Sequence, residues 1–224
     1  MSSHDTSPYR TVADFQRWDR AFTAERAKRL DPYEGQTARF RLGKADRIVT
    51  AGSCFAQNIA KRLQRYGYNY VMAEYDPALT PEQNESRKNT MFSARYGNIY
   101  TVAHLAQLIA QAFGRWAPQE EFWKTGERFL DPYRPSIDPE GFASLEELRR
   151  ARAAHLGSVR NALQNCDVFI FTLGLTEGWV NTGDGAAYPV APGAGYGTFA
   201  PEKYAFKNYT LAEINGAAAA RSSS

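Results

Sequence analysis

A chain of 224 residues that is 43% hydrophobic and 13% aromatic can bury one sizeable core, which excludes wholesale disorder. Its net charge of +3 is dispersed among residues of both signs, so no nucleic-acid-binding arm is expected, and its two cysteines, Cys54 and Cys166, are too few for a disulfide scaffold or a zinc site. Met1 to Arg10 is polar, without the apolar core of a signal peptide, and nowhere do eighteen apolar residues run together; the expectation is a cytoplasmic protein with no membrane partner, no nucleic-acid partner and no cofactor.

Residues 1–44 read as a polar leader and a helical extension, in which Phe15, Trp18 and Phe22 share one helical face that ends at Asp31-Pro32. The first strong strand is Arg47 to Ala51. It passes through Gly52 into a helical pattern in which Phe55, Ile59 and Leu63 recur four apart, and Gly67 closes that helix. Tyr68 to Ala73 reads as a second strand, and strand–helix–strand in this order opens an α/β domain with a parallel sheet. Tyr75 to Gly97 is polar and turn-rich, expected as a long surface loop. Ile99 to Phe113 is a helix whose inner face is Val102, Leu105, Leu108, Ile109 and Ala112.

A hairpin pattern over Phe122 to Phe129 follows, and then Asp131-Pro132-Tyr133-Arg134-Pro135. Ser144-Leu145-Glu146-Glu147 is a capping box that starts the clearest helix, with Leu145, Leu148, Leu156, Val159 and Leu163 along one face. The run Val168-Phe169-Ile170-Phe171-Thr172-Leu173 has no polar alternation, so it is expected at the centre of a parallel sheet, buried on both faces, with Cys166 in the core at its entrance. Asn181 to Gly197 reads as a Gly/Pro-rich loop and Asn208 to Ile214 as the start of a helix. Residues 215–224 form a low-complexity tail that packs nothing, so the domain over 45–214 is expected to be interrupted.

Residues at the carboxyl ends of parallel strands, just before helices, are where open α/β sheets bind and transform ligands. Two turns meet that description: Gly52-Ser53 after the first strand, and Gly174-Leu175-Thr176-Glu177 after the Val168–Leu173 run. The helix after Ser53 would present free N–H groups and its positive dipole end to an oxyanion beside the hydroxyl. The alternative is that Ser53 merely caps the helix, as serine commonly does.

Val49-Thr50-Ala51-Gly52-Ser53-Cys54-Phe55-Ala56-Gln57 and Thr172-Leu173-Gly174-Leu175-Thr176-Glu177-Gly178-Trp179 resemble the two signatures of the GSCFA family. Arg95-Tyr96-Gly97-Asn98-Ile99-Tyr100-Thr101 and Asp131-Pro132-Tyr133-Arg134-Pro135 also resemble segments of it, so that the likeness covers roughly residues 8 to 214. That family is similar to the SGNH (GDSL-like) hydrolases. The resemblance implies a three-layer α/β/α fold with a parallel sheet, flavodoxin-like in outline and incomplete at the C-terminus, and ester hydrolysis or acyl transfer.

Laid on G-D-S, Ala51-Gly52-Ser53 makes Ser53 the nucleophile, Gly97 the loop glycine of the oxyanion hole and Thr176 the occupant of the Asn position in G-x-N-D. Gly52, Gly174 and Glu177 complete the implied oxyanion and substrate set. A shift of one residue lays Gly52-Ser53-Cys54 on G-D-S and makes Cys54 the attacking group, its thiol acidified by the helix N-terminus. Otherwise Cys54 is a small buried packing residue.

The resemblance also implies a late D-x-x-H, and no such tetrad occurs in the sequence. Of the three histidines, His4 lies in the leader, while His104 and His155 are read as partly exposed helical residues rather than bases. The expectation is an SGNH-like esterase or acyltransferase domain acting on an ester, with an acylated carbohydrate as the substrate, and nearly inactive in this chain. The other readings are a non-catalytic binding or scaffold module and, lower, a flavodoxin-like nucleotide domain, against which no G-x-G-x-x-G or P-loop follows the first strand. Trp179, Tyr188, Tyr196 and Phe199 are read as either a sugar-stacking wall or ordinary loop packing.

Overall fold

The computed structural model describes residues 12–13 and 38–219. Two compact units divide the chain, Met1–Leu42 and Gly43–Ser224. In the first, the described residues 12–13 and 38–42 form neither helix nor strand; the amphipathic face of Phe15, Trp18 and Phe22 lies outside the described residues. The second unit is mixed α/β, with helices and three small sheets, none of which closes into a barrel.

Strand β1 (Ile48–Ala51) is buried along its whole length and pairs in parallel with β4 (Val168–Phe171), Ile48 opposite Val168 and Ala51 opposite Phe171. On the other side of β1 the expected second strand is reduced to a single parallel bridge, Ile48 to Tyr70. Helix α1 (Cys54–Arg65) follows β1, and its small residues Ala56 and Ala60, with Leu63, are the buried ones, which lets the helix lie close on the strand. It stops in a Schellman motif: Gly67, at φ +67°, donates to Gln64 O (3.0 Å) and Tyr68 donates to Leu63 O (2.9 Å). Arg62 and Arg65 in the last turn complement the dipole.

The expected surface loop over Tyr75–Gly97 is corrected in two ways. It contains a short helix, α2 (Pro81–Ser86), started by a reciprocal Thr80/Gln83 capping box. Its C-terminal part is core: Phe92, Ser93, Ala94 and Tyr96 are all buried, the Ser93 hydroxyl accepts from Thr50 N (2.9 Å), and the Tyr96 hydroxyl donates to Thr50 O. The segment thus supplies to β1 hydrogen bonds of the kind a neighbouring strand would supply, which polarity counting along the sequence does not detect.

Helix α3 (Val102–Ala112) is capped by Thr101, whose hydroxyl accepts from His104 N (3.2 Å). The hairpin is present as β2 (Trp123–Thr125) and β3 (Arg128–Leu130), with Gly126 at φ +55° in its turn. Helix α4 (Leu145–Asn165) begins at Ser144, which accepts from Glu147 N (3.1 Å). One core gathers Ala51, Phe92, Tyr96, Ile99, Leu105 and Val159; a second, aromatic core gathers Trp123, Tyr133, Tyr188 and Tyr204.

Three expectations change here. Strand β4 is half-buried rather than enclosed, because among the described residues it has a partner on one side only. Glu177–Tyr188 and Tyr204–Asn208 form an antiparallel sheet of β5 (Glu177–Asn181), β6 (Ala187–Tyr188) and β7 (Tyr204–Asn208), in order β6-β5-β7, where only loop was expected over 181–197. Helix α5 (Leu211–Ala219) runs through Asn215–Ala219 instead of giving way to a tail, and it packs against α3. Its start carries a reciprocal cap: Glu213 N donates to Thr210 Oγ1 (3.3 Å) and Thr210 N to Glu213 Oε2 (2.8 Å). No helix among the described residues is long and apolar enough to cross a membrane.

Candidate active site

Gly52 leaves β1 at φ +142°, a conformation that L side chains rarely adopt. A Cβ here would overlap Thr172 Oγ1 and lie 3.0 Å from Thr172 O. Thr172 N in turn donates to Ala51 O (3.1 Å), so the two strand ends are tied together where their turns begin. Gly52→Ala should combine backbone strain with overpacking and cost about 2–5 kcal/mol. Gly67→Ala, where a Cβ meets only open space, should cost about 1–2 kcal/mol. Comparing the two urea midpoints separates strain from overlap, and equal losses would show that Thr172 yields.

Three backbone bonds bring the sequence motifs to one place. Gly52 O accepts from Ile99 N (2.8 Å), Tyr100 O accepts from Leu175 N (2.9 Å), and the Thr172–Ala51 bond joins the strands. The Gly52–Cys54 turn, the Gly97–Tyr100 segment and the Gly174–Glu177 turn are therefore neighbours. Gly97, at φ +74°, is buried within this group.

Ser53 is the N-cap of α1, with its Oγ accepting from Phe55 N at 3.3 Å. The capping role is thus realised in the geometry, with a long bond. Among the described residues the amides of Ser53 and Cys54 donate to no acceptor, which leaves two N–H groups at the positive end of the helix beside the hydroxyl. Cys54 is the first residue of α1, exposed and free, which corrects its reading as a buried packing residue: the buried face of the helix is made by Ala56, Ala60 and Leu63. Thr176 and Glu177 are exposed, and among the described residues their side chains make no hydrogen bond. Cys166 is half-buried at the end of α4, its Sγ 3.4 Å from Leu163 O.

Residues that the sequence reading did not single out stand between these turns. Gln57 Nε2 donates to Asn98 Oδ1 and Asn98 Nδ2 donates to the Tyr100 hydroxyl, both at 3.0 Å. This chain of side chains holds the Gly97 segment against α1. Asn98 follows Gly97 within a segment already noted for its resemblance, but its partners are set only by the fold.

Both described histidines are buried, which corrects their reading as partly exposed. His155 Nδ1 is 2.8 Å from Glu74 Oε2, and its Nε2 has no partner. Burial lowers the His155 pKa and the nearby Arg134 charge adds to this, outweighing Glu74. Burial would raise the Glu74 carboxyl, but hydrogen bonding and charge from His155 and the Arg95 amide hold it below its usual value. His104 is pushed down to about 4 by burial, against a hydrogen bond to the Tyr133 backbone, and its Nδ1 also lacks a partner. Both histidines line a small pocket of about 10 Å³ together with Asp131, Arg134 and Arg152. Neither ring is arranged to take a proton from an exposed turn. Among the described residues no cluster of His, Cys, Asp and Glu could hold a metal ion.

A family model described as the GSCFA family matches residues 47–222. No curated protein and no solved structure matches the chain.

Proposed function

The chain belongs to the GSCFA family, and from that premise we propose an SGNH-like domain for ester hydrolysis or acyl transfer in the cytoplasm, with Ser53 as nucleophile. On this reading β1 and β4 are the first parallel pair of a three-layer α/β/α sheet. What supports it is one observation: the Ser53 hydroxyl, two unpaired amides at the start of α1 and the Gly174–Glu177 turn meet at the carboxyl ends of two paired parallel strands.

The Ser53 oxygen attacks the acyl carbon and gives its proton to a base. The carbonyl oxygen, now negative, is held by the amides of Ser53, Gly97 and Thr176. Collapse expels the alkoxide, which takes up a proton, and the acyl group passes from Ser53 to water or to a second hydroxyl. The sequence has no D-x-x-H and both described histidines are buried, so among the described residues no side chain stands as that base. Loss of a triad member elsewhere leaves roughly 10³–10⁴-fold catalysis over water, and the chain is expected to sit at or below that level.

A small-molecule base tests the assignment. With p-nitrophenyl acetate, imidazole should raise turnover above its own protein-free background, and Ser53→Ala should abolish the increment while Cys54→Ala keeps it. The reverse pattern would move the nucleophile to Cys54. An increment that neither variant alters, or none at all, would favour the second reading, a binding module in which Ser53 only caps α1; the Phe55 N to Ser53 Oγ bond is the observation on its side.

A further inference from the structure

Beside the Ser53 turn lies a cleft of about 210 Å³, between the start of α3, the Gly174–Glu177 turn and the face of the β6-β5-β7 sheet. Tyr100 belongs to both places: its carbonyl accepts from Leu175 N, its hydroxyl from Asn98, and its side of the cleft faces Leu175, Glu177, Trp179 and Phe206. We propose that this cleft binds one uncharged, polyhydroxylated ring, a pyranose, as the part of the ester substrate that carries the acyl group. The proposal rests on the ester reading for its place in the reaction, and on the cleft alone for its ligand.

The chemistry of the walls selects the ligand. Trp179 and Phe206 are cross-strand partners on β5 and β7 in edge contact, with ring centroids 6.0 Å apart and planes at 71°, and Phe206 is 56% exposed, which leaves apolar ring surface open. Such faces take the C–H side of a sugar ring. Glu177 brings a carboxylate with no hydrogen-bond partner, able to accept from two hydroxyls. His104 lines the cleft at the start of α3, and burial keeps its ring neutral, so it adds no charge to the wall. Among the described residues no lysine or arginine lines the cleft, so these walls offer nothing to pair with an anion. An acyl chain in the same place would press methylenes on the Glu177 carboxylate and leave it unpaired. A quaternary ammonium group would neutralise Glu177 but has no hydroxyl to donate to its carboxylate oxygens. The volume is below the roughly 300–1,000 Å³ of sites for drug-sized ligands, which limits the occupant to about one ring.

Binding is read without turnover, by titrating the chain with methyl glucopyranoside, galactopyranoside and mannopyranoside while following the Trp179 indole N–H by NMR, with choline and octanoate as the other two probes. At least one pyranoside should saturate the Trp179 shift; Glu177→Gln should weaken it by roughly tenfold or more, as for a charged hydrogen bond, and Phe206→Ala by about 2–10-fold. Thermal unfolding of both exposed variants verifies that they remain folded. Saturation by choline or octanoate with no response to any pyranoside overturns the proposal, as does pyranoside binding unchanged in both variants. The two readings fail separately: sugar binding with no Ser53-dependent turnover removes the ester chemistry and keeps the cleft, and imidazole-assisted turnover with no sugar binding does the opposite.

Discussion

Asp131→Ala is expected to lower the stability of the chain by about 3–5 kcal/mol, enough to unfold a domain of ordinary stability. Asp131 is 4% exposed and accepts from two guanidinium groups, Arg134 Nε at 3.1 Å and Arg152 Nη2 at 2.9 Å, while the Tyr133 amide donates to it at 3.1 Å. Burial alone would raise its carboxyl; the Arg152 and Arg134 charges reverse this and hold it at about 2. Removing the carboxylate leaves Arg134, itself 4% exposed, with the more distant Asp138 Oδ2 at 4.0 Å in place of the contact at 3.1 Å, and that is the costly step. Pro132 and Pro135 are fully buried on either side, so the segment cannot swing out to hydrate the arginine. Asp167 makes the contrast. Arg47 holds it at about 2 as well, but both side chains are nearly half exposed, and water screens the pair. Urea unfolding of Asp131→Ala beside Asp167→Ala should show a large midpoint shift only for the first. Similar small shifts for both would mean that the Asp131 cluster is hydrated.

Acidification from pH 7 to pH 4 should remove several kcal/mol of stability before any carboxylate in the core titrates. His104 has its folded-state pKa at about 4, against about 6.5 in the unfolded chain. Between those values the unfolded chain binds a proton that the fold refuses, so stability rises with pH in this window and is lost as pH falls through it. For His104 alone the difference amounts to about 3 kcal/mol. His155, lowered by burial and Arg134, acts in the same direction from the same upper limit. Below about pH 4 the depressed carboxyls of Asp131 and Glu74 add their own losses, with the stability they contribute present above their unfolded values. Urea midpoints measured at half-unit steps should fall steadily from pH 6.5, and His104→Gln should flatten the slope. A midpoint unchanged down to pH 5 would show that both rings already accept protons in the fold.

The site was legible in the sequence to the extent that local geometry defines it. A glycine and a serine between an apolar strand and a helical period mark a strand–helix turn with Ser53 at its cap, but not the inward face. The period picks out Phe55, Ile59 and Leu63, whereas the fold buries Ala56, Ala60 and Leu63 and leaves Phe55 63% exposed, because the small residues let α1 lie close on β1. Gly174 after the second apolar run reads the same way, but there the chain passes into strand β5 at Glu177 instead of a helix, so only the strand end was legible. Asn98 was not legible in this way, because its partners Gln57 and Tyr100 belong to an adjacent helix and to the loop itself. Its amide pattern becomes informative only when the chain has brought them within 3.0 Å.

Pattern therefore determined the elements with a strong period or a local cap: β1, α1, the β2–β3 hairpin and α4 with its Ser144 box. It also determined that two glycine turns end two strands. Tertiary structure alone decided that those turns adjoin, through Thr172 and Ile99, and that Ser93 and Tyr96 leave a polar segment to bond β1. It decided equally that Glu177–Tyr188 and Tyr204–Asn208 form a sheet, since strands of two to five residues set among glycines gain their stability from cross-strand pairs such as Trp179 with Tyr188 and Phe206. The same holds for the two histidines. A helical period gives each ring its side of the helix, but how deeply it is buried, and hence how tightly it holds a proton, depends on the neighbours that pack around it.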